Sequence, residues 1–201
     1  KTSAGDRLSV ALARERARAL GRKVEMVVVD DDIALPDLPQ PRGVAGTLFV
    51  HKIAGAAAEA GESLEQVAER ARAVVAKVAS IGTSLDTCTV PGSPKEDRIP
   101  AGKAELGLGI HGEPGVEQVD FAGARSAMER VLEKLRPHLD SADGGTRVAL
   151  LNNLGSTTPL EMAVLAHALT DAGIAQQVIG PAPMMTSLDM HGFSVSVLEV
   201  H

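Results

Sequence analysis

Apolar positions recur along this chain in two rhythms: roughly every third or fourth residue in some stretches, and in short unbroken runs in others. Asp6 stands where an N-cap belongs, and Leu8-Ser9-Val10-Ala11-Leu12 opens a helical pattern that closes at Leu20-Gly21. Residues 24–29 are almost wholly apolar and rich in valine, which predicts a strand buried on both faces. Helix, glycine and buried strand in succession are the rhythm of an α/β protein with parallel pairing. Asp30-Asp31-Asp32 and the proline-rich residues 35–41 then read as a solvated surface connection. Neighbouring residues of an extended chain point to opposite sides, so the three aspartates are not expected to converge on a metal ion.

Residues 43–61 turn small and helical, with His51 read as a packed, hydrogen-bonded histidine. Ser63 and Gln66 form a capping-box pair that opens a helix predicted to run to about Ala79. Residues 85–90 are predicted as a strand, 91–95 as a turn, and 104–110 as an alternating strand ending in His111-Gly112-Glu113-Pro114-Gly115. An amphipathic helix over 123–139, a strand over 147–151, a helix over 159–172 and strands over 175–179 and 193–200 complete the pattern. His138 and His167 fall within the helical stretches, as solvent-facing or packed side chains. A domain boundary is placed near Ser84, giving residues 1–84 and 85–201.

Composition narrows the function. The chain has 201 residues, no Trp, no Tyr and three Phe, so a nucleic-acid groove built on stacked rings is excluded as an expectation. A net charge of −6 also argues against a phosphate-backbone binder. The single cysteine, Cys88, cannot pair within the chain and suits a reducing cytoplasm. No apolar run reaches the roughly 20 residues of a membrane span. The chain begins at Lys1 without an initiator Met, which points to a fragment or a processed start. Neither a Gly-x-x-x-x-Gly-Lys-Ser/Thr loop nor a strand–GxGxxG–helix fingerprint is present, so a nucleotide pocket is not expected on this chain.

Taken singly, the candidate residues have plain readings. His111 between an apolar strand and a Gly-Glu-Pro-Gly turn could be a turn histidine making local hydrogen bonds, although flanking glycines also allow close approach of a ligand. Asp6 could simply cap a helix, or act as a general base. Lys1 alone would be a terminal residue.

Several segments together change that picture. Residues 43–61 (Gly-Val-Ala-Gly-Thr-Leu-Phe-Val-His-Lys-Ile-Ala-Gly-Ala-Ala-Ala-Glu-Ala-Gly), 105–115 (Glu-Leu-Gly-Leu-Gly-Ile-His-Gly-Glu-Pro-Gly), 151–155 (Leu-Asn-Asn-Leu-Gly) and 185–194 (Met-Thr-Ser-Leu-Asp-Met-His-Gly-Phe-Ser) resemble the K component of dihydroxyacetone kinases. Lys1-x-x-x-Gly5-Asp6 matches a further family element. The resemblance implies an α/β fold, with an incomplete three-layer first domain followed by a two-layer α/β domain with a mixed sheet.

It also implies a mechanism in which His111 adds through a neutral ring nitrogen to the carbonyl carbon of a short ketose, forming a hemiaminal that rejects glycerol. Asp6 would take the proton from the terminal hydroxyl, and Lys1 would offset charge on the incoming phosphoryl group. No cofactor is expected on this chain. The nucleotide, as ATP or as tightly held ADP, would come with Mg on a separate L component, and the chain is expected to form a homodimer.

Two departures stand out. The family's Ser-Gly-His-Glu-Pro loop, which carries a second histidine, is not in the sequence, and Thr2-Ser3-Ala4 and Ser9-Val10 replace the family's residues around Asp6. A weak or inactive kinase component is therefore expected. A non-catalytic keto-sugar sensor that activates a transcription factor, and a kinase for a related ketose such as erythrulose, are the alternatives.

Overall fold

The computed structural model describes residues 4–35, 42–110, 113–139 and 145–200, with Ala4 described by its backbone only. Within them lie helices α1 (Ala4–Ala19), α2 (Thr47–Glu59), α3 (Leu64–Val75), α4 (Ala124–Leu135) and α5 (Pro159–Asp171). The strands are β1 (Val78–Ser84), β2 (Lys103–Leu106), β3 (Glu117–Asp120), β4 (Thr146–Asn153), β5 (Gln177–Ala182) and β6 (Gly192–Val200). They form one mixed sheet in the order β3-β2-β1-β6-β4-β5. This is a mixed α/β fold, as the sequence implies.

The central strands are buried on both faces, and the period of two sorts their residues between two cores. Ala149, Leu151, Val195 and Val197 pack with Met128, Val131, Leu132 and Leu135 of α4 and Met162, Leu165 and Leu169 of α5. Leu150 and Leu198, one residue out of phase, pack with Phe49 and Val50 of α2, Ala71 and Val74 of α3, and Val29. A third, smaller cluster of Cys88, Ile99, Leu108, Leu154 and Met190 lies under the chain that leaves β2.

Several expected elements are displaced. Among the named strands only β4 and β5 pair in parallel, the other pairs being antiparallel; isolated parallel bridges join Asp32 to Ser80 and Gly155 to Met190. Residues 24–29 form no strand of the sheet; only Val29 among them is fully buried. The helix expected to reach Ala79 stops at Val75, and the strand expected over 85–90 is replaced by β1. A strand buried on both faces loses its alternation, so Val78-Ala79-Ser80 continues the helical spacing of Val74 without betraying the change. Ser63 and Gln66 do form the capping box on α3. Asp6 sits inside the first turn of α1 instead of capping it.

The acidic triplet is the clearest correction. Asp30 is exposed, but Asp31 and Asp32 are buried. Residues 31–33 lie alongside β1, where Ser80 N donates to Asp31 O (2.7 Å) and Ile33 N donates to Ser80 O (3.0 Å). That pairing occupies the part of β1 that β2 does not reach, and it turns the loop into a buried element.

Candidate functional site

The chain leaves β2 at Leu106 and turns through Gly107-Leu108-Gly109-Ile110. His111 and Gly112 lie outside the described residues, as does Lys1. Both flanks of the turn are described, and they are held from several sides. Gly107 adopts φ 75°, and a side chain there would place its Cβ 2.5 Å from the Cβ of Ala34, so only glycine fits. Its N–H donates to Gly82 O at 2.7 Å, and its carbonyl accepts from Arg42 Nη2 at 2.7 Å. Ser187 Oγ donates to Ile110 O at 2.6 Å. Gly109 N donates to Glu113 O at 3.1 Å, and Gly115 N to Glu105 Oε1 at 2.5 Å.

Two of the motif segments are knitted together behind this turn. Asn152 Oδ1 accepts from Met184 N (3.0 Å) and Met185 N (2.8 Å), while its amide donates to Met185 O (2.8 Å). Ser187 N donates to Leu154 O at 2.7 Å, which sets the hydroxyl that reaches Ile110. Ser187→Ala is expected to cost about 1–3 kcal/mol, because the Ile110 carbonyl would lose its buried partner. Equilibrium urea unfolding checks this, and an unchanged midpoint would show that the bond contributes nothing.

The buried aspartates divide their work. Asp31 accepts from Val44 N and Gly46 N, both at 2.8 Å, and so anchors the chain entering α2. Burial pushes its carboxyl upward, opposed by the hydrogen bonds it accepts. Asp32 Oδ2 lies 2.8 Å from Arg42 Nε, with the two side chains 3% and 12% exposed. Burial outweighs that guanidinium and raises Asp32 to about 6.

Asp6 is half-buried and lines a hollow of about 200 Å³ with Arg7, Val27, Val29, Thr47 and His51. His51, expected to be packed, is exposed at this hollow, because α2 turns Phe49 and Val50 inward and leaves His51 on its outer side. Val29 and Thr47 flank the buried aspartate segment, which reaches the β2 turn through Arg42. The fold therefore links the Asp6 hollow to the described flanks of His111 through one packed segment.

Sequence reasoning passed over three features. Arg42 carries no motif signal, since it stands in a proline-rich loop. Ser187 lies inside the quoted motif, but nothing marks it as the residue that reaches the turn. His191 Nε2 lies 3.0 Å from Glu161 Oε1, beside a cavity of about 220 Å³ that Phe121, Leu165 and Phe193 also line. Glu161 is held below the usual carboxylate range, chiefly by its hydrogen bonds with Thr158 and less by His191. Among the described residues, no group of three or more His, Cys, Asp or Glu could hold a metal ion. No helix among them is long and apolar enough to cross a membrane.

The profile of the Dak1 domain matches residues 1–201. The chain belongs to the Dak1 domain family. This Dak1 domain is 41% identical over 204 residues to a dihydroxyacetone kinase of Citrobacter freundii, covering 98% of the chain and 36% of that protein. It is 38% identical over 209 residues to the dihydroxyacetone-binding subunit of a PTS-dependent dihydroxyacetone kinase of Listeria innocua, covering 100% of the chain and 63% of that subunit. The crystal structure of the C. freundii kinase with AMP-PNP and Mg2+ superposes with a TM-score of 0.93 at 40% identity, over 100% of this chain and 38% of that one. A dihydroxyacetone kinase operon co-activator superposes with a TM-score of 0.91 at 27% identity, over 100% of this chain and 64% of that one. The Dak1 domain described here thus spans between about a third and two thirds of these relatives.

Proposed function

We propose that this Dak1 domain holds a short-chain ketose, dihydroxyacetone or a relative such as erythrulose, covalently on His111 and presents its terminal hydroxyl for phosphorylation. The observation that carries this reading is the turn around His111, whose described flanks are pinned by Arg42 and Ser187 and linked to the hollow containing Asp6. A ring nitrogen of neutral His111 bonds to the carbonyl carbon as the carbon–oxygen π bond opens. The proton on the other ring nitrogen is lost and the new alkoxide gains one, leaving a neutral hemiaminal. Tethering fixes orientation, which lowers the entropic barrier to the following step. The terminal hydroxyl then attacks the donor's terminal phosphorus and gives its proton to the Asp6 carboxylate as the bond to the ADP oxygen breaks and ADP departs, while Lys1 offsets phosphoryl charge.

The donor, ATP or tightly held ADP recharged by a phosphotransfer protein, sits with Mg on a separate L component. The chain works as a homodimer in the cytoplasm, with residues 1–84 as part of a first domain and 85–201 carrying the tethering histidine. Residues 1–201 by themselves make a weak or inactive kinase component, since the family's Ser-Gly-His-Glu-Pro loop is not among them.

Native mass spectrometry with dihydroxyacetone tests the tether. The unmodified protein is expected to gain the mass of one ketose, and His111→Ala to gain none. An adduct that survives in His111→Ala, or that never forms in the unmodified protein, refutes the reading. The likeness to an operon co-activator supports a second reading as a keto-sugar sensor, which keeps His111 but has no use for Asp6 as a base.

A further inference from the structure

We infer that Arg42 is a positioning residue for ketose binding: its guanidinium ties the buried Asp32 carboxylate to the Gly107 carbonyl and so fixes the entry of the turn that carries His111. This inference rests on the tethering role proposed for His111. Its observations are independent of that role. Arg42 uses two different nitrogens, Nε at 2.8 Å from Asp32 Oδ2 and Nη2 at 2.7 Å from Gly107 O. The first partner belongs to the segment paired with β1, and the second is the first residue beyond β2. One planar group therefore braces the Asp32 segment against Gly107, which lies 65 positions beyond Arg42 in the chain.

The brace stands where backbone support is thinnest. β1 and β2 are paired only at Thr83–Leu106 and Ser84–Glu105, and beyond them Gly107 N keeps a single bond to Gly82 O. Asp32 is itself fixed, since its Oδ1 accepts from Ala34 N at 3.0 Å and its backbone N donates to Arg42 O at 3.2 Å. Ala34 in turn packs against Gly107, which admits no Cβ. Arg42 also approaches Gly109, where a Cβ would meet both its Nη1 and the Glu113 carboxylate. The Asp32 contact is a buried ion pair outside hydrogen-bond alignment and the Gly107 contact is a hydrogen bond; an ammonium is a point charge on a flexible stem and cannot keep both contacts in place at once.

The test compares the unmodified protein with Arg42→Lys and Arg42→Met. Apparent dissociation constants for dihydroxyacetone come from native mass spectrometry titration, and local opening comes from hydrogen exchange. Arg42→Lys keeps a cation beside Asp32 and so guards against outright unfolding in Arg42→Met. Both variants are expected to weaken adduct formation, by roughly tenfold to a hundredfold in Arg42→Met and less in Arg42→Lys. Faster exchange should be confined to the amides of Gly107, Gly109, Gly115 and Val116, with β4 and β6 unchanged. A merely structural role would raise exchange throughout the sheet and leave affinity intact in whatever protein remains folded. Unchanged affinity and unchanged exchange at Gly107 and Gly109 in Arg42→Lys would overturn the inference. If the unmodified protein forms no adduct while both variants loosen those amides, the tethering reading fails and the brace stands.

Discussion

Asp6→Asn is expected to leave the ketose adduct in place and to slow phosphoryl transfer by about 10²- to 10⁴-fold, the usual contribution of a positioned general base. Asparagine keeps the shape and polarity of the side chain but cannot accept a proton at neutral pH. Asp6 lies in the first turn of α1, where the helix dipole favours a carboxylate by roughly 0.3–1 kcal/mol, so the substitution should cost stability of about that order. The rate is read under single-turnover conditions with the L component in excess, and the adduct by native mass spectrometry. Two results would count against the assignment. An unchanged rate would remove Asp6 from the chemistry and favour the sensor reading, and equal loss of adduct and rate would make Asp6 part of binding. His51 shares the hollow with Asp6 and is the obvious rival base, so His51→Gln is the matched control and should keep its rate.

What could be read from the sequence followed from local periodicity. β6 and β4 are legible because buried central strands are dense in Val and Leu, and α5 because Thr158, Pro159 and Glu161 spell out its start. β3 escapes notice because Glu-Gln-Val-Asp is an exposed edge strand. Its place is set by the ladder to β2 and by the ion pair of Lys103 with Asp120 at 2.6 Å. The site divides the same way. The glycine-studded turn around His111 is visible as a motif, and the relation of Gly107 to Ala34 explains one of its glycines. Arg42, Asp31 and Asp32 are invisible as a group, since their burial depends on residues 31–33 lying beside β1, a long-range pairing that no local window contains. His191 and Glu161 likewise meet only across the fold.

The largest stability effect is expected at Asp31. Asp31→Ala should cost about 2–4 kcal/mol, because the amides of Val44 and Gly46 lose their acceptor in a buried place. For a chain of this size that lowers the melting temperature by roughly 5–15 °C. The pH dependence carries the sharper test. Burial raises the folded-state pKa of Asp31, so between its ordinary value near 3.8 and the raised one the folded protein binds more protons than the unfolded chain. Its contribution to stability is therefore fully present below the unfolded pKa and is lost as pH rises through the folded one. Asp32, raised to about 6, acts with the same sign. The stability gap between the unmodified protein and Asp31→Ala should accordingly widen as pH is lowered from 7 towards 4. Urea unfolding at each pH measures that gap, and groups unaffected by the substitution cancel from it. A gap that narrows on acidification would mean that the hydrogen bonds from Val44 and Gly46 outweigh burial and hold the Asp31 carboxyl below its ordinary range.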